Sequence, residues 1–479
     1  MNRLILLFVI LLNVDAWAGW TPPLQLSEDA VFYSPKIIAN GNILHVVENM
    51  AFPEISINYQ CSLDGGNSWS PAYLLPDSEV TTGCGLPSMV MKENRIYVSW
   101  VNFESGGSYR QNVGFAVSTN AGITWAPGRK VLIRNRDYIA AQTLGIMGDV
   151  VYIIFVHGTQ QGYYFYIVDS YDYGQTWSEP REMFVGHNVS EIKTVSLGDT
   201  IHVLWSGELE SQSPGLVFYL RSSDGGYAWS DNYSIRDTND SSGGVLPSMT
   251  HNERGELIAC WTDYRYSPYW ITGDIFYRIS TDGGDSWSDE VQITDLHLTM
   301  ESSVVWIEDS IYIAYEDRRY EDREILFRKS LDNGLSWGEE ERLSDDPDDT
   351  RDPCVSVSDG KIYVVWSRII DNPYSGGVYI THWEPDVGID ETEQKSHNFG
   401  QPLRAYPNPF NDHTMIEFTA SEPSEISIYN LLGQVIYSRI VPAGKGSFKW
   451  DAAGYSSGIY FYKLTSGEKT ITKRVTLLK

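Results

Sequence analysis

The sequence predicts an all-β chain, a seven-bladed β-propeller followed by a small immunoglobulin-like antiparallel β-sandwich. Three observations predict it. A motif of the form Ser-x-Asp-x-Gly-x-x-Trp, or a close variant, begins at Ser62, Ser118, Ser170, Ser222, Ser280 and Ser330, at intervals of 50 to 58 residues. Short alternating apolar runs flank the copies, such as "RIYVSWV", "VVYIIFV" and "LIACWTD", with no helical period between them. Beyond a polar, patternless stretch at 387–402 the repeat stops and the composition changes.

Taken in order, the chain opens on "MNRLILLFVILLNVDAWAGW". Arg3, the apolar run Leu4 to Leu12 and the small residues of Ala16-Trp17-Ala18 read as a secretory signal peptide over 1–18, with Gly19 as the mature start. The run is too short to span a bilayer, and no other segment reads as transmembrane. A formal charge of −28 over 479 residues argues against a nucleic-acid partner.

From Gly19 to Asp386, each period of about fifty residues holds four short strands, and four-stranded units repeated radially make a propeller. Six units carry the motif. A seventh, "DPCVSVSDGKIYVVWSRIIDNPYSGGVYITHW", ends after its third strand. Its fourth is expected from the other end of the chain, because "GWTPPLQLS" at Gly19 matches "SWSPAYLL" at Ser68 and sets Trp20 in the place of Trp69. Trp20 to Ser27 should then pair with the strand near Val378 to His382 and leave no open edge.

The motif itself reads as structural. Its carboxylate (Asp64, Asp172, Asp224, Asp282, Asp332) can accept backbone N–H bonds across a tight turn, Gly permits positive φ, and Trp buries area between neighbouring blades. Asn120 fills the Asp place in the second copy; an Asn still makes the turn, whereas a catalytic carboxylate would not tolerate the change.

These copies resemble the Asp-boxes, or BNR repeats, of sialidase-like propellers. The resemblance implies a structural motif on the face away from the active site and offers a six-bladed sialidase ring as the alternative architecture. Sialidase catalysis needs three arginines, a Tyr–Glu pair and an Asp. The family's first arginine lies in a Phe-Arg-Ile-Pro motif, and here Phe32-Tyr33-Ser34-Pro35 holds Tyr33 in the arginine place. The expected function is therefore recognition of an extracellular glycan or glycoprotein without sialidase catalysis; the alternative is an exo-sialidase-like glycoside hydrolase.

A ligand would meet the opposite face. Aligning second strands on their terminal aromatic gives Trp100, Phe155, Trp205, Trp261, Tyr315 and Trp366, with Val47 in the first unit. Two positions on, Asn49, Asn102, His157, Gly207, Asp263, Asp317 and Arg368 vary. The binding candidates are Asp263, Arg265, Tyr269, Trp270, Asp317, Arg319 and Arg368, with aromatic rings to stack on sugars and charge to hold polar groups. The opposing reading makes Asp263–Arg265 and Asp317–Arg319 loop clasps. No cofactor is expected, although the acid run "SDDPDDTRDP" from Ser344 offers hard oxygen ligands for calcium. Cys61, Cys84, Cys260 and Cys354 are expected as free thiols, Cys260 and Cys354 buried.

From 403 to 479 the charge reverses: nine Lys and Arg against six Asp and Glu give +3, leaving −31 for the rest. Alternating runs such as "TMIEFTA", "EISIYN" and "GIYFYKLTSG" predict the sandwich. "YPNPFN", "IYNLLGQVI", "SSGIYFYKL" and "KRVTLLK" resemble a type IX secretion sorting domain. That resemblance implies the type IX secretion machinery as a partner and a secreted or cell-surface protein.

Overall fold

A computed structural model describes residues 19–27, 32–50, 56–75, 83–104, 110–133, 138–209, 216–237, 243–267, 272–320, 322–370, 376–383, 403–406, 410–420, 422–430, 435–455, 458–466 and 469–477. The expected signal peptide and linker, and the candidates Tyr269 and Trp270, lie outside them. The chain falls into two compact units, Met1–Pro385 and Asp386–Lys479. Among the described residues every regular element is a strand, and none is a helix long and apolar enough to cross a membrane.

The first unit is built of four-stranded antiparallel sheets, spanning 32–74, 83–133, 244–292 and 299–342. A seven-stranded sheet spans 138–234; its long strand Arg181–Leu197 is fourth strand to one repeat and first strand to the next. The last sheet joins the two ends of the unit. Leu24 and Gln25 pair with Ile380 and Tyr379 of strand Gly376–Trp383. Thr21 N donates to His382 O (2.9 Å) and Leu26 N to Val378 O (2.7 Å), the pairing expected of the closing strand. Ser356 and Ser358 of the last repeat then accept from Ala39 N and Gly41 N of the first.

Each Asp-box turn is a compact hydrogen-bond knot. In the fifth, Ser280 Oγ donates to Asp282 Oδ1 (2.8 Å) and accepts from Gly284 N (2.8 Å); Asp282 Oδ1 also accepts from Ser286 N (2.9 Å). Hydrogen bonds from the Ser286 hydroxyl and amide hold the Asp282 carboxyl down to about 2. Asn120 makes the same bonds to Ser118 and to Thr124 N. The knot docks on the preceding repeat. The Trp125, Trp177, Trp287 and Trp337 rings meet Tyr59, Phe115, Tyr219 and Tyr277 edge-on at 4.8 to 5.7 Å. Trp20 meets Phe327 the same way at 5.0 Å, so it occupies the Asp-box tryptophan's place in the last sheet.

Two expectations are corrected. Counting back from the Asp-box serine, the residue paired with Asn58 is Glu48, so Glu48 and not Val47 stands where other repeats carry the aromatic. Cys354 is half-buried, because it lies on the edge strand of its sheet, whereas Cys260 lies on an inner strand and is fully buried. All four thiols are free.

The second unit packs a three-stranded sheet (Arg404–Tyr406, His413–Ala420, Gly444–Asp451) and a four-stranded one (Ser424–Tyr429, Val435–Val441, Gly458–Ser466, Lys469–Leu477). Ile416, Phe418, Phe448 and Trp450 of the first meet Ile426, Ile428, Tyr462 and Leu464 of the second in one core.

Candidate functional site

First and third strands of a meander run in the same direction. The start of each first strand therefore lies at the end opposite the Asp-box turns, which follow the third strands. There every first strand of the repeat bulges: the pairing register shifts at Phe32/Lys36, Gly85/Ser88, Ile139/Ala141, His187/Glu191, Val245/Ser248, Thr299/Ser302 and Arg351/Cys354. Where a proline follows, the bulge residue takes positive φ: Ser34 (85°), Leu86 (54°), Leu246 (54°) and Asp352 (56°). A bulge re-aims side chains, and strain of this kind gathers where structure serves a site.

Just beyond the bulge one position has a visible structural task. Ser88, Ser248 and Ser303 Oγ accept from Leu144, Val304 and Val355 N of the following repeat at 3.1 to 3.2 Å. The equivalent residues in the first and fourth repeats are Lys36 and Lys193, which cannot make that bond. Both lysines line a small open recess of about 70 Å³, together with Ser34, Gln142, Ser190 and Glu191. Lys193 pairs with Glu191; burial works against its charge, but the Glu191 and Glu301 carboxylates outweigh it and raise its pKa.

Carboxylates gather near these lysines. The side-chain oxygens of Glu301, Glu316 and Asp352, from two successive repeats, lie within 4.8 Å of one another. Glu316 is buried (2% exposed); it accepts from Asp352 N at 2.8 Å and pairs with Arg323 at 3.2 Å. Burial first and mutual repulsion second push Glu316 to about 7 and Asp352 to about 6, and Glu301 well above the carboxylate range. The three therefore take up protons at higher pH than ordinary carboxyls, as a coupled group.

Arginines flank them. Arg323 N donates to Asp349 Oδ1 (3.0 Å), and Asp349 also pairs with Arg351. Arg318, on the same strand as Glu316, donates its backbone N–H to Leu298 O (3.1 Å) and is half-buried.

The residues singled out from sequence lie further out and are mostly engaged with one another. Asp263 is 1% exposed and holds three partners: Arg236 Nε (2.5 Å), Arg265 Nη2 (2.7 Å) and the Trp261 indole N–H (3.1 Å). Burial alone would raise its pKa, but Arg265 and Arg236 lower it. Asp317 is fully buried and chelated by Arg319 Nε and Nη2 (2.8 and 2.6 Å); Arg319 goes on to Glu340. Arg368 is held by Asp346 and Asp348 at 2.8 and 2.7 Å. The acid run from Ser344 is similarly engaged, with Asp345 on Arg342 and Asp349 on Arg351. Lys36, Lys193, Glu301, Glu316 and Arg318 were not singled out, and Arg351 and Asp352 only as part of the acid run from Ser344. The available signal was the dipeptide pattern Ser34-Pro35, Leu86-Pro87, Leu246-Pro247 and Asp352-Pro353, which marks the bulge in the repeat.

The comparisons with known proteins agree with this architecture. The BNR repeat-like domain description matches residues 2–274 and 150–375. The chain belongs to the BNR repeat-like family. A secretion system C-terminal sorting domain matches residues 404–477, so this BNR protein is exported across the outer membrane to the cell surface or medium, and its C-terminal domain engages the type IX machinery. Among solved structures it is similar to an ulvan lyase bound to a GlcA(1-4)Rha3S chain (11% identity, TM-score 0.52, covering 76% of this chain and 94% of that one). It is also similar to the polysaccharide lyase Uly1 (10%, 0.51, 74% and 90%) and to a Trypanosoma rangeli sialidase variant displaying trans-sialidase activity (10%, 0.47, 95% and 88%). At these identities the likeness is one of fold. No protein of curated function matches the sequence.

Proposed function

We propose that the BNR unit is a closed ring of seven blades that recognises an extracellular glycan in its axial recess. The count is supported by treating the seven-stranded sheet as two blades sharing Arg181–Leu197, and the ring by the hydrogen bonds from Ala39 and Gly41 to Ser356 and Ser358. One observation carries the functional reading: Lys36 and Lys193 stand where three other repeats carry a serine that ties them to the next, and both line the recess. Giving up a structural bond for a cation over an open polar hollow is what a binding site does and a packing position does not. Hydroxyls of a sugar would meet Ser34, Gln142, Ser190 and Glu191, which supply both donors and acceptors.

A second reading, a glycoside hydrolase, is favoured by a specific observation. Glu316 and Asp352, raised to about 7 and 6, keep a proton to higher pH than an ordinary carboxyl, as a general acid must. A glycan array with the full chain, run beside reducing-end and fluorogenic sialoside assays, separates the two. Binding without turnover, lost in Lys36→Ala and Lys193→Ala, is the expected result. Turnover abolished by Asp352→Asn would replace binding with hydrolysis. No binding to any glycan and no turnover would overturn both.

A further inference from the structure

The six Asp-box turns share their Ser, Gly and Trp, so what differs between them lies at the intervening positions, which the turn does not fix. On the third and fourth copies those positions hold tyrosines: Tyr171, Tyr173 and Tyr227. The other four copies carry no aromatic residue there. Tyr171 and Tyr227 are 67% and 66% exposed, and Tyr173 is 36% exposed. Tyr173 is also strained. Its φ is 62° at a position where the other copies hold Gly65, Ala121, Gly225, Gly283 and Asn333, and a bulky side chain rarely accepts that conformation. The turn does not need the ring. In the sixth copy Asn333 makes the tie to the preceding repeat by accepting from Arg254 Nη2 (2.7 Å), where the third copy sets Arg95 over Tyr173 at 4.2 Å. Strain kept without a structural return points to function.

The tyrosines are held in place. Asp169, 3% exposed, takes both ends of the Arg181 guanidinium (3.1 and 3.0 Å) and accepts from the Tyr171 hydroxyl at 3.4 Å. Arg181 lies over the Tyr227 ring at 4.4 Å, and Tyr227 hydrogen-bonds Tyr171. The charges of the patch are matched, Arg181 by Asp169 and Arg95 by Glu93 at 3.7 Å. We infer that Tyr171, Tyr173 and Tyr227 form a platform for a neutral polysaccharide chain at the Asp-box end of the unit. A sugar ring offers apolar C–H faces between hydroxyls; an exposed phenol ring covers the first and its hydroxyl meets the second. A polyanion would find no unmatched cation there, on a part of the chain that carries −31. Aromatic rings fixed before binding lose little freedom on it. The inference does not depend on the recess, which is lined by residues of the opposite, bulged end of the repeats.

The test is affinity electrophoresis of the full chain in native gels containing a mixed-linkage β-glucan, a xylan or a galactomannan, with heparin as the polyanion. At least one neutral polymer is expected to retard the wild type. Tyr171→Ala and Tyr227→Ala should each weaken the apparent Kd about tenfold, the scale of one aromatic anchor. Tyr173→Gly separates function from structure. It should lose affinity while the melting temperature holds or rises, because glycine relieves the positive φ. If it melts lower and binds as the wild type does, Tyr173 is structural and the platform fails. Lys36→Ala and Lys193→Ala should leave this tyrosine dependence in place. If the lysine variants abolish retardation and the tyrosine variants keep it, the platform is wrong and the recess stands. Retardation by heparin alone, or by no polymer, overturns the platform and leaves the recess to the glycan array. Self-association in sedimentation that Tyr227→Ala abolishes, with no polysaccharide bound, would make the patch a contact between copies and overturn it too.

Discussion

Replacing Trp20 by Ala removes the residue that locks the two ends of the BNR unit together. Its ring is buried (6% exposed), meets Phe327 edge-on at 5.0 Å and donates its indole N–H to Glu341 at 2.6 Å. Truncating a buried tryptophan costs about 3–5 kcal/mol through lost burial and the cavity left behind. The aromatic contact accounts for about 0.5–1.5 kcal/mol of coupling beyond area, which a Trp20→Ala/Phe327→Ala double-mutant cycle isolates. Urea unfolding of the full chain, followed by tryptophan fluorescence, reads both. Trp287→Ala is the internal standard, since Trp287 holds the same relation to Tyr219 at 5.1 Å within continuous chain. A Trp20→Ala midpoint within error of wild type, with Trp287→Ala clearly destabilised, would refute the reasoning: the closing strand would then add nothing to the ring.

Other outcomes follow from particular contacts. Gly284→Ala sets a Cβ 1.9 Å from Tyr219 Oη at φ +84°, so it should destabilise by about 1–3 kcal/mol or more; Tyr219→Phe in the same chain should recover part of the loss. Glu48, raised to about 7 by burial, binds its proton more tightly folded than unfolded, so stability should fall as pH rises from about 4.5 to 7. Glu48→Gln should remove that slope and be the more stable form in urea at pH 8, with little gain at pH 4. Burial pushes the Cys260 thiol up, so it should resist alkylation in the native protein at neutral pH; denatured and unreduced, the chain should take four labels, and fewer would contradict the free thiols.

What was legible in the sequence was what repeats or is local. The Asp-box knot closes within eight residues, and its Ser, Asp and Gly are each required by one turn, so six copies announce it. The pairing of the N-terminal strand with Gly376–Trp383 was legible because Trp20 copies an environment present elsewhere. Glu48 was misplaced because alignment by apolar endings passes over a buried acid, and Val47 beside it fits the alternation. The clasps show a different limit. Asp263 with Arg265 could be suspected from adjacency, but Arg236, 27 residues earlier and fully buried, completes the site and is invisible to local pattern. The axial mouth was missed because a bulge is an event of register: one extra residue turns Glu301 and Asp352 toward neighbouring repeats without altering the composition of either strand.

The two ends of the BNR unit thus carry opposite constraints. At the Asp-box end each repeat must present nearly the same residues, since Gly122, Gly174 and Gly284 each leave no room for a Cβ against Tyr59, Phe115 and Tyr219 of the neighbour. At the bulge end the backbone demands only a shifted register, and four repeats meet that demand through a residue–proline pair while the side chain before the proline is Ser, Leu, Leu or Asp. Stability is therefore secured by repeated, local knots, and the axial mouth is free to hold a set of charges that differs from repeat to repeat. Three carboxyls within 4.8 Å would be a liability in a core that depended on them; here they are tolerable because burial keeps them partly protonated and Arg323 takes one. That separation of scaffold from site is also why a likeness of fold to polysaccharide lyases leaves the chemistry of this mouth to be decided by its own residues.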